Sequence, residues 1–180
     1  MPGNKRPPPP APAPNSNLVG AQERSHEVKL LKAGDDKRVV ALCATLERKT
    51  FPKHESLFEG FEKEVRRRNA LLFYCEDSAG AVKGYLIVSW RLPPAPRGGN
   101  IEKVCVAERF RRTGVGRALC EAALAAMRDK GALEVLLHVD PGRVRAVALY
   151  EALGFVRTGP LIEGYYNNIR DGQRMTLALD

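Results

Sequence analysis

Apolar residues recur along this chain in two rhythms. Between Asp35 and Lys49 they fall at Val39, Val40, Leu42, Cys43 and Leu46, a stripe along one side of a helix that an aspartate opens. A second helical stripe, Leu57, Phe58, Phe61 and Val65 within ESLFEGFEKEVRRR, carries charged residues on its other face. The segments ALLFYCED (70–77) and VKGYLIVSW (82–90) read as strands, and the short turn at Ser78, Ala79 and Gly80 joins them as an antiparallel hairpin. EVKLLKA (27–33) predicts a strand ahead of them, RLPPAPRGG (91–99) a loop behind them, and NIEKVCVAE (100–108) a further strand. A helix is expected from Gly114 to Lys130 with Gly131 as its stop, then a strand at EVLLHVD (134–140). A shorter helix through VRAVALYEAL ends at Gly154, where Phe155 supplies the closing apolar contact. FVRTGPLI (155–162) and QRMTLALD (173–180) provide the last strands. Antiparallel strands thus lead into one strand–helix–strand crossover. The class is α/β, or α+β, with a mixed, mostly antiparallel sheet of about seven strands and flanking helices.

Length and composition narrow the function. The 180 residues, 44% hydrophobic and 28% charged, suffice for one well-buried core. The opening MPGNKRPPPPAPAPNSN has few side chains to bury and reads as a disordered, polyproline-like tail over 1–24, with the domain running from 25 to 180. Lys5 and Arg6 form at most a weak nuclear or surface-binding signal. No apolar run is long enough to span a membrane or to serve as a secretory signal, so a cytoplasmic protein is expected, with a nuclear location as the alternative. Cys43, Cys75, Cys105 and Cys120 include no CxxC pair, and three of them lie in apolar periodic segments, so buried reduced thiols are expected, without metal. The net charge of +8 points to an anionic partner: nucleic acid, a ribosome surface or a polyphosphate cofactor.

The stretch RRTGVG (111–116), between a strand and a helix, brings backbone N–H groups and a helix dipole to one place, with Arg111, Arg112 and Arg117 alongside. It lacks the lysine and hydroxyl of a GxxxxGK[ST] phosphate loop, and Leu119 occupies the third small-residue position of a dinucleotide fingerprint. Taken alone, Gly114 and Gly116 are equally consistent with a tight turn beneath a solvated basic face.

The order RxxGxG (111–116) after VCV, LLHV (136–139) on a later strand, then AxxLYEALGF (146–155), resembles the GNAT superfamily of acetyl-CoA-dependent N-acetyltransferases. The resemblance runs over about 27–180 in element order and is specific over Ile101–Phe155. It implies a GNAT fold with a splayed central strand pair, acetyl-CoA as cofactor, and its pyrophosphate on Arg111, Arg112, Thr113, Gly114, Val115 and Gly116. Val104, Val106, Arg143 and Tyr150 are then the remaining cofactor contacts. A backbone N–H near Val106 would polarise the thioester carbonyl. Tyr150 corresponds to the tyrosine that donates a proton to the departing thiolate. LLHV corresponds to the strand on which several Nα-acetyltransferases carry their base, which makes His138 the candidate base and Glu102, on the preceding strand, the alternative.

Two features bear on the acceptor. Phe51-Pro52 corresponds to the turn that lines the peptide pocket in Nα-acetyltransferases, and Tyr165-Tyr166, expected in the loop between the last strands, to their paired tyrosines. Each alone is equally a packing feature. Arg143, where many relatives have asparagine, and Asn100, where one branch has a catalytic tyrosine, depart from the pattern. The reading is direct acetyl transfer in a ternary complex to the α-amine of a peptide or protein. The alternatives are a small amine acceptor, such as a polyamine, amino acid or drug, or an inactive acyl-CoA-binding domain. A ribosome is a further partner suggested by the basic surface; neither membrane nor DNA is expected.

Overall fold

A computed structural model describes residues 26–31, 37–91 and 98–179. In chain order the elements are β1 (Lys29–Leu30), α1 (Lys37–Thr50), a 3-10 turn (Phe58–Gly60), α2 (Phe61–Val65), β2 (Ala70–Glu76), β3 (Val82–Trp90), β4 (Gly98–Val106), a second 3-10 turn (Glu108–Phe110), α3 (Val115–Asp129), β5 (Glu134–Val139), α4 (Val144–Ala152), β6 (Val156–Arg157), β7 (Ile162–Tyr166) and β8 (Arg170–Ala178). One sheet runs β1-β2-β3-β4-β5-β8-β6, with β7 paired to β8. All neighbours are antiparallel except β4 and β5, the pair joined by the α3 crossover. The proline-rich tail, with Lys5 and Arg6, lies outside the described residues. No helix among the described residues is long and apolar enough to cross a membrane.

The sheet separates two apolar layers. Leu119, Ala123, Leu124 and Met127 of α3 pack with Val147 and Tyr150 of α4 against Leu86, Val88, Ile101, Val135 and Leu137. On the other face, Val39, Val40 and Cys43 of α1 pack with Phe61 and Val65 of α2 against Leu72, Tyr85 and Ile87. The four cysteines are free and buried within these layers.

Two backbone irregularities shape the centre. Ile87 faces Lys103 while the next residue, Val88, faces Ile101, so Glu102 is the extra residue of a β-bulge. The bulge resets the alternation. Ile101 faces the α3 layer before it, and Val104 and Val106 face that layer after it. In addition, the parallel ladder stops early: Gly98–Ile101 pair with Glu134–Leu137, and beyond them β4 keeps only β3 and β5 only β8. The two central strands therefore diverge from Glu102 and His138 onward, the splay that the resemblance implied.

Four sequence expectations are corrected. The segment 155–162 is divided, because Gly159, at a φ of +69°, and Pro160, which has no N–H, interrupt the ladder; the sheet consequently has eight strands among the described residues. Tyr165 and Tyr166 sit in β7, not in a loop. The second helix shrinks to Phe61–Val65 because Gly60 departs from helical geometry, and Gly98 and Gly99, read as loop, begin β4.

Candidate active site

The strand-to-helix turn leaves backbone N–H groups without partners in the helix. Gly114 caps α3 at a φ of +95°, a left-handed conformation that glycine adopts without a Cβ penalty, and no side chain caps the helix. Ala118 N–H donates to the Gly114 carbonyl at 3.0 Å, so the N–H groups of the first turn ahead of it have no intrahelical acceptor. The turn is braced from within. Thr113 Oγ1 donates to the Phe110 carbonyl at 2.7 Å, and the His26 ring meets the Thr113 carbonyl at 2.7 Å. Arg111 Nε donates to the Val106 carbonyl at 3.2 Å. From this turn a groove of about 1100 Å³ runs past Val104, Val106, Gly116, Arg143, Ala146 and Tyr150, with Arg111, Arg112, Arg117 and Arg145 also on its walls.

A second cleft, of about 270 Å³, meets that groove at Phe51, Val104, Arg143, Ala146 and Tyr150. One wall comes from the α1–α2 connection through Phe51, His54 and Glu55, the other from the β7–β8 hairpin through Tyr165, Tyr166 and Asn167. Charged contacts bind the walls together. The buried carboxylate of Glu55 pairs with Arg143 at 2.9 Å and with Arg170, and Arg170 also reaches Asp140 at 2.6 Å. Asn167 Nδ2 donates to the His54 carbonyl at 2.5 Å.

His138 lies at the mouth of the splay, half-buried, its imidazole stacked on Tyr165. Burial, and secondarily the positive charge of Arg174, hold its pKa below the ordinary histidine value, so the ring is neutral and able to accept a proton near pH 7. Its carbonyl accepts from the Tyr166 hydroxyl at 3.1 Å, which anchors β7 to β5. Tyr150 projects from α4 to the junction of the two clefts. Only 8% of it is exposed, and its hydroxyl has no hydrogen-bond partner among the described residues. Burial raises that phenol well above the ordinary tyrosine range, which keeps it protonated as a donor.

The structure thus gathers His138, Tyr150, Phe51, Tyr165, Tyr166, Val104 and Arg143 around one junction, with Val106, Arg111, Arg112, Gly114 and Gly116 along the adjoining groove. Other sequence candidates sit differently. Glu102 lines the cleft, but Arg67 and Ser89 both donate to its carboxylate. Pro52 is exposed and shapes the turn, its carbonyl accepting from Glu55 N at 2.9 Å and Ser56 N at 3.0 Å. Val115 is a core side chain and Thr113 an internal brace, so both serve the turn through their backbone. The sequence did not single out Glu55, Asp140, Arg170 and His26, because the contacts that bring Glu55, Asp140 and Arg170 together, and His26 to Thr113, are remote along the chain.

A sequence model of the acetyltransferase (GNAT) family matches residues 33–155. The chain belongs to that family. The GNAT chain shares 29% identity over 143 residues with the N-alpha-acetyltransferase of Saccharolobus solfataricus, covering 74% of this chain and 84% of the relative. It shares 28% with the N-alpha-acetyltransferase of Sulfolobus acidocaldarius, covering 86% and 94%. In fold it is similar to a chain in the crystal structure of the NatC complex bound to Gag peptide and CoA, with a TM-score of 0.72 at 19% identity over 86% of this chain and 99% of that one. A crystal structure of Arabidopsis thaliana NAA60 with acetyl-CoA gives 0.70 at 17% identity, covering 86% and 99%. The protein is accordingly an acetyl-CoA-dependent N-acetyltransferase. The groove suits that cofactor: an uncapped helix N-terminus flanked by arginines fits a pyrophosphate, and a Cβ at Gly116 would come within 3.3 Å of Leu149 on the groove wall.

Proposed function

We propose that this GNAT enzyme acetylates the α-amine of a peptide or protein N-terminus. The observation that carries the reading is the two-walled cleft. It joins the cofactor groove at Tyr150, has aromatic side chains from both the α1–α2 connection and the β7–β8 hairpin, and leaves Tyr165 44% exposed at its opening, where a chain can continue outward. The relatives from Saccharolobus solfataricus and Sulfolobus acidocaldarius are N-alpha-acetyltransferases, which supports the same acceptor.

Acetyl-CoA supplies an already activated thioester, which leaves the protein with positioning and proton transfer. His138, held neutral, takes a proton from the incoming ammonium directly or through water, and Tyr150 donates to the departing sulfur. An α-amine, with a reference pKa of about 7.7–8.0, yields its proton to such a base far more readily than a lysine of about 10.4. Glu102 suits the base role less well, because its oxygens already accept from Arg67 and Ser89. Both substrates are bound together and transfer is direct.

A conjugate joining CoA to a peptide through the peptide's terminal nitrogen tests this reading. It should inhibit far more strongly than CoA or free peptide alone. A conjugate no better than CoA would remove the peptide cleft from the account.

A further inference from the structure

The open face of the sheet continues past His138. There Asn69, Ser89, Arg91, Asn100, His138 and Arg174 line a third cleft, of about 350 Å³, so that His138 stands between it and the junction with the cofactor groove. Arg174 faces His138 directly across the β5–β8 ladder, which places the two side chains side by side on that face.

The arginines and the lysine in and around the first cleft are matched. Arg67 pairs with Glu102, Lys103 with Glu47, Arg143 with Glu55, and Arg170 with Glu55 and Asp140. Arg174 and Arg91 are not: neither forms an ion pair among the described residues, and Arg174 Nε is buried with no hydrogen-bond partner. The lining carboxylate, Glu134, is four residues back from His138 on β5, roughly 13 Å at the usual strand rise, and faces Ala178 across the ladder. The cleft therefore offers one uncompensated guanidinium beside His138, a donor that matches a carboxylate, while Arg91 lies at the far end on the rung of Gly98 and Glu134. Three residues of extended peptide span about 10 Å, enough to carry a side chain from an amine at the splay past His138.

We propose that Arg174 seats an acidic side chain within the first three residues of the acceptor, so that the enzyme selects acidic N-termini. The assignment rests on the α-amine reading. An Asp or Glu at the right position gives Arg174 the acceptor it lacks, whereas a Lys there meets like charge beside His138.

The test uses short peptides that differ only in carrying Glu, Gln or Lys at position one, two or three, with kcat/KM for acetylation read by mass spectrometry. At one position Glu should exceed Gln on the order of tenfold, with Lys lower still. In Arg174→Gln that ratio should collapse towards one, Arg174→Lys should restore part of it, and Arg174→Glu should reverse the order of Glu and Lys. Equal rates for Glu and Gln at all three positions, or a Glu preference unchanged in Arg174→Gln, would overturn the subsite while leaving α-amine acetylation standing. Turnover of spermidine with none of the peptides would overturn the α-amine reading and the subsite with it.

Discussion

The imidazole of His138 lies on the ring of Tyr165, centroids 4.7 Å apart and planes 18° from parallel. The stack unites the candidate base with a wall of the acceptor cleft, so the two functions should respond to one substitution. Tyr165→Ala uncovers the imidazole and relieves part of the burial that holds its pKa down. The acid limb of the kcat/KM profile should therefore move to higher pH, towards the ordinary histidine value, while peptide KM rises. In His138→Ala the ionisation itself should disappear. An unmoved limb in Tyr165→Ala would separate the stack from the proton-transfer step.

Gly172 makes a second, independent probe of the same wall. A Cβ built there falls 2.6 Å from Tyr165 Cγ and 2.8 Å from its Cβ, near the root of the side chain where no rotamer change relieves the clash. Gly172→Ala should displace Tyr165, raise peptide KM several-fold and leave the acetyl-CoA Kd unchanged, as separate titrations would register.

Tyr150→Phe removes only the hydroxyl that opens on the cleft junction. Turnover should fall on the order of 10²-fold with acetyl-CoA affinity retained. Because no protein group shares a hydrogen bond with that hydroxyl among the described residues, thermal stability should barely change.

At the cofactor turn, charge and backbone strain can be separated. Gly114→Asn and Gly114→Asp have nearly the same shape, and both side chains tolerate the left-handed conformation better than most. Acetyl-CoA should still raise the Tm of the Asn variant, whereas the Asp variant, with a carboxylate at the uncapped helix end, should show little or no shift. Equal shifts in both would mean that the pyrophosphate lies elsewhere.

The residues that carry local chemistry were legible in the sequence. RRTGVG announces the turn because its glycines and arginines are contiguous, and LYEALGF places Tyr150 by helical spacing, with Phe155 edge-on to it at 5.9 Å. His138 could be singled out because it interrupts an apolar strand. The Glu55–Arg143–Arg170–Asp140 cluster had no such signal, since its members lie up to 115 residues apart and meet only when the hairpin folds over the α1–α2 connection. Glu102 is the instructive case. A carboxylate on the strand before the cofactor turn is the alternative base, and the bulge sets it against Arg67 and Ser89, a matter of register that spacing cannot reveal. Glu47 was hidden for the opposite reason: its position, four residues after Cys43 and seven after Val40, lies on the buried stripe, but a carboxylate reads as solvated, whereas it is 0% exposed, accepts from Tyr85 and from Leu57 N, and pairs with Lys103.

The most direct measurement combines acetyl-CoA with a peptide bearing a free N-terminus, an N-terminally blocked peptide carrying internal lysines, and spermidine, all at equal concentration in one reaction, and identifies the acetylated nitrogen by fragmentation mass spectrometry. Acetyl should accumulate on the free α-amine well ahead of the other acceptors and be lost in His138→Ala. Acetyl accumulating faster on lysine side chains or on spermidine would contradict the α-amine reading.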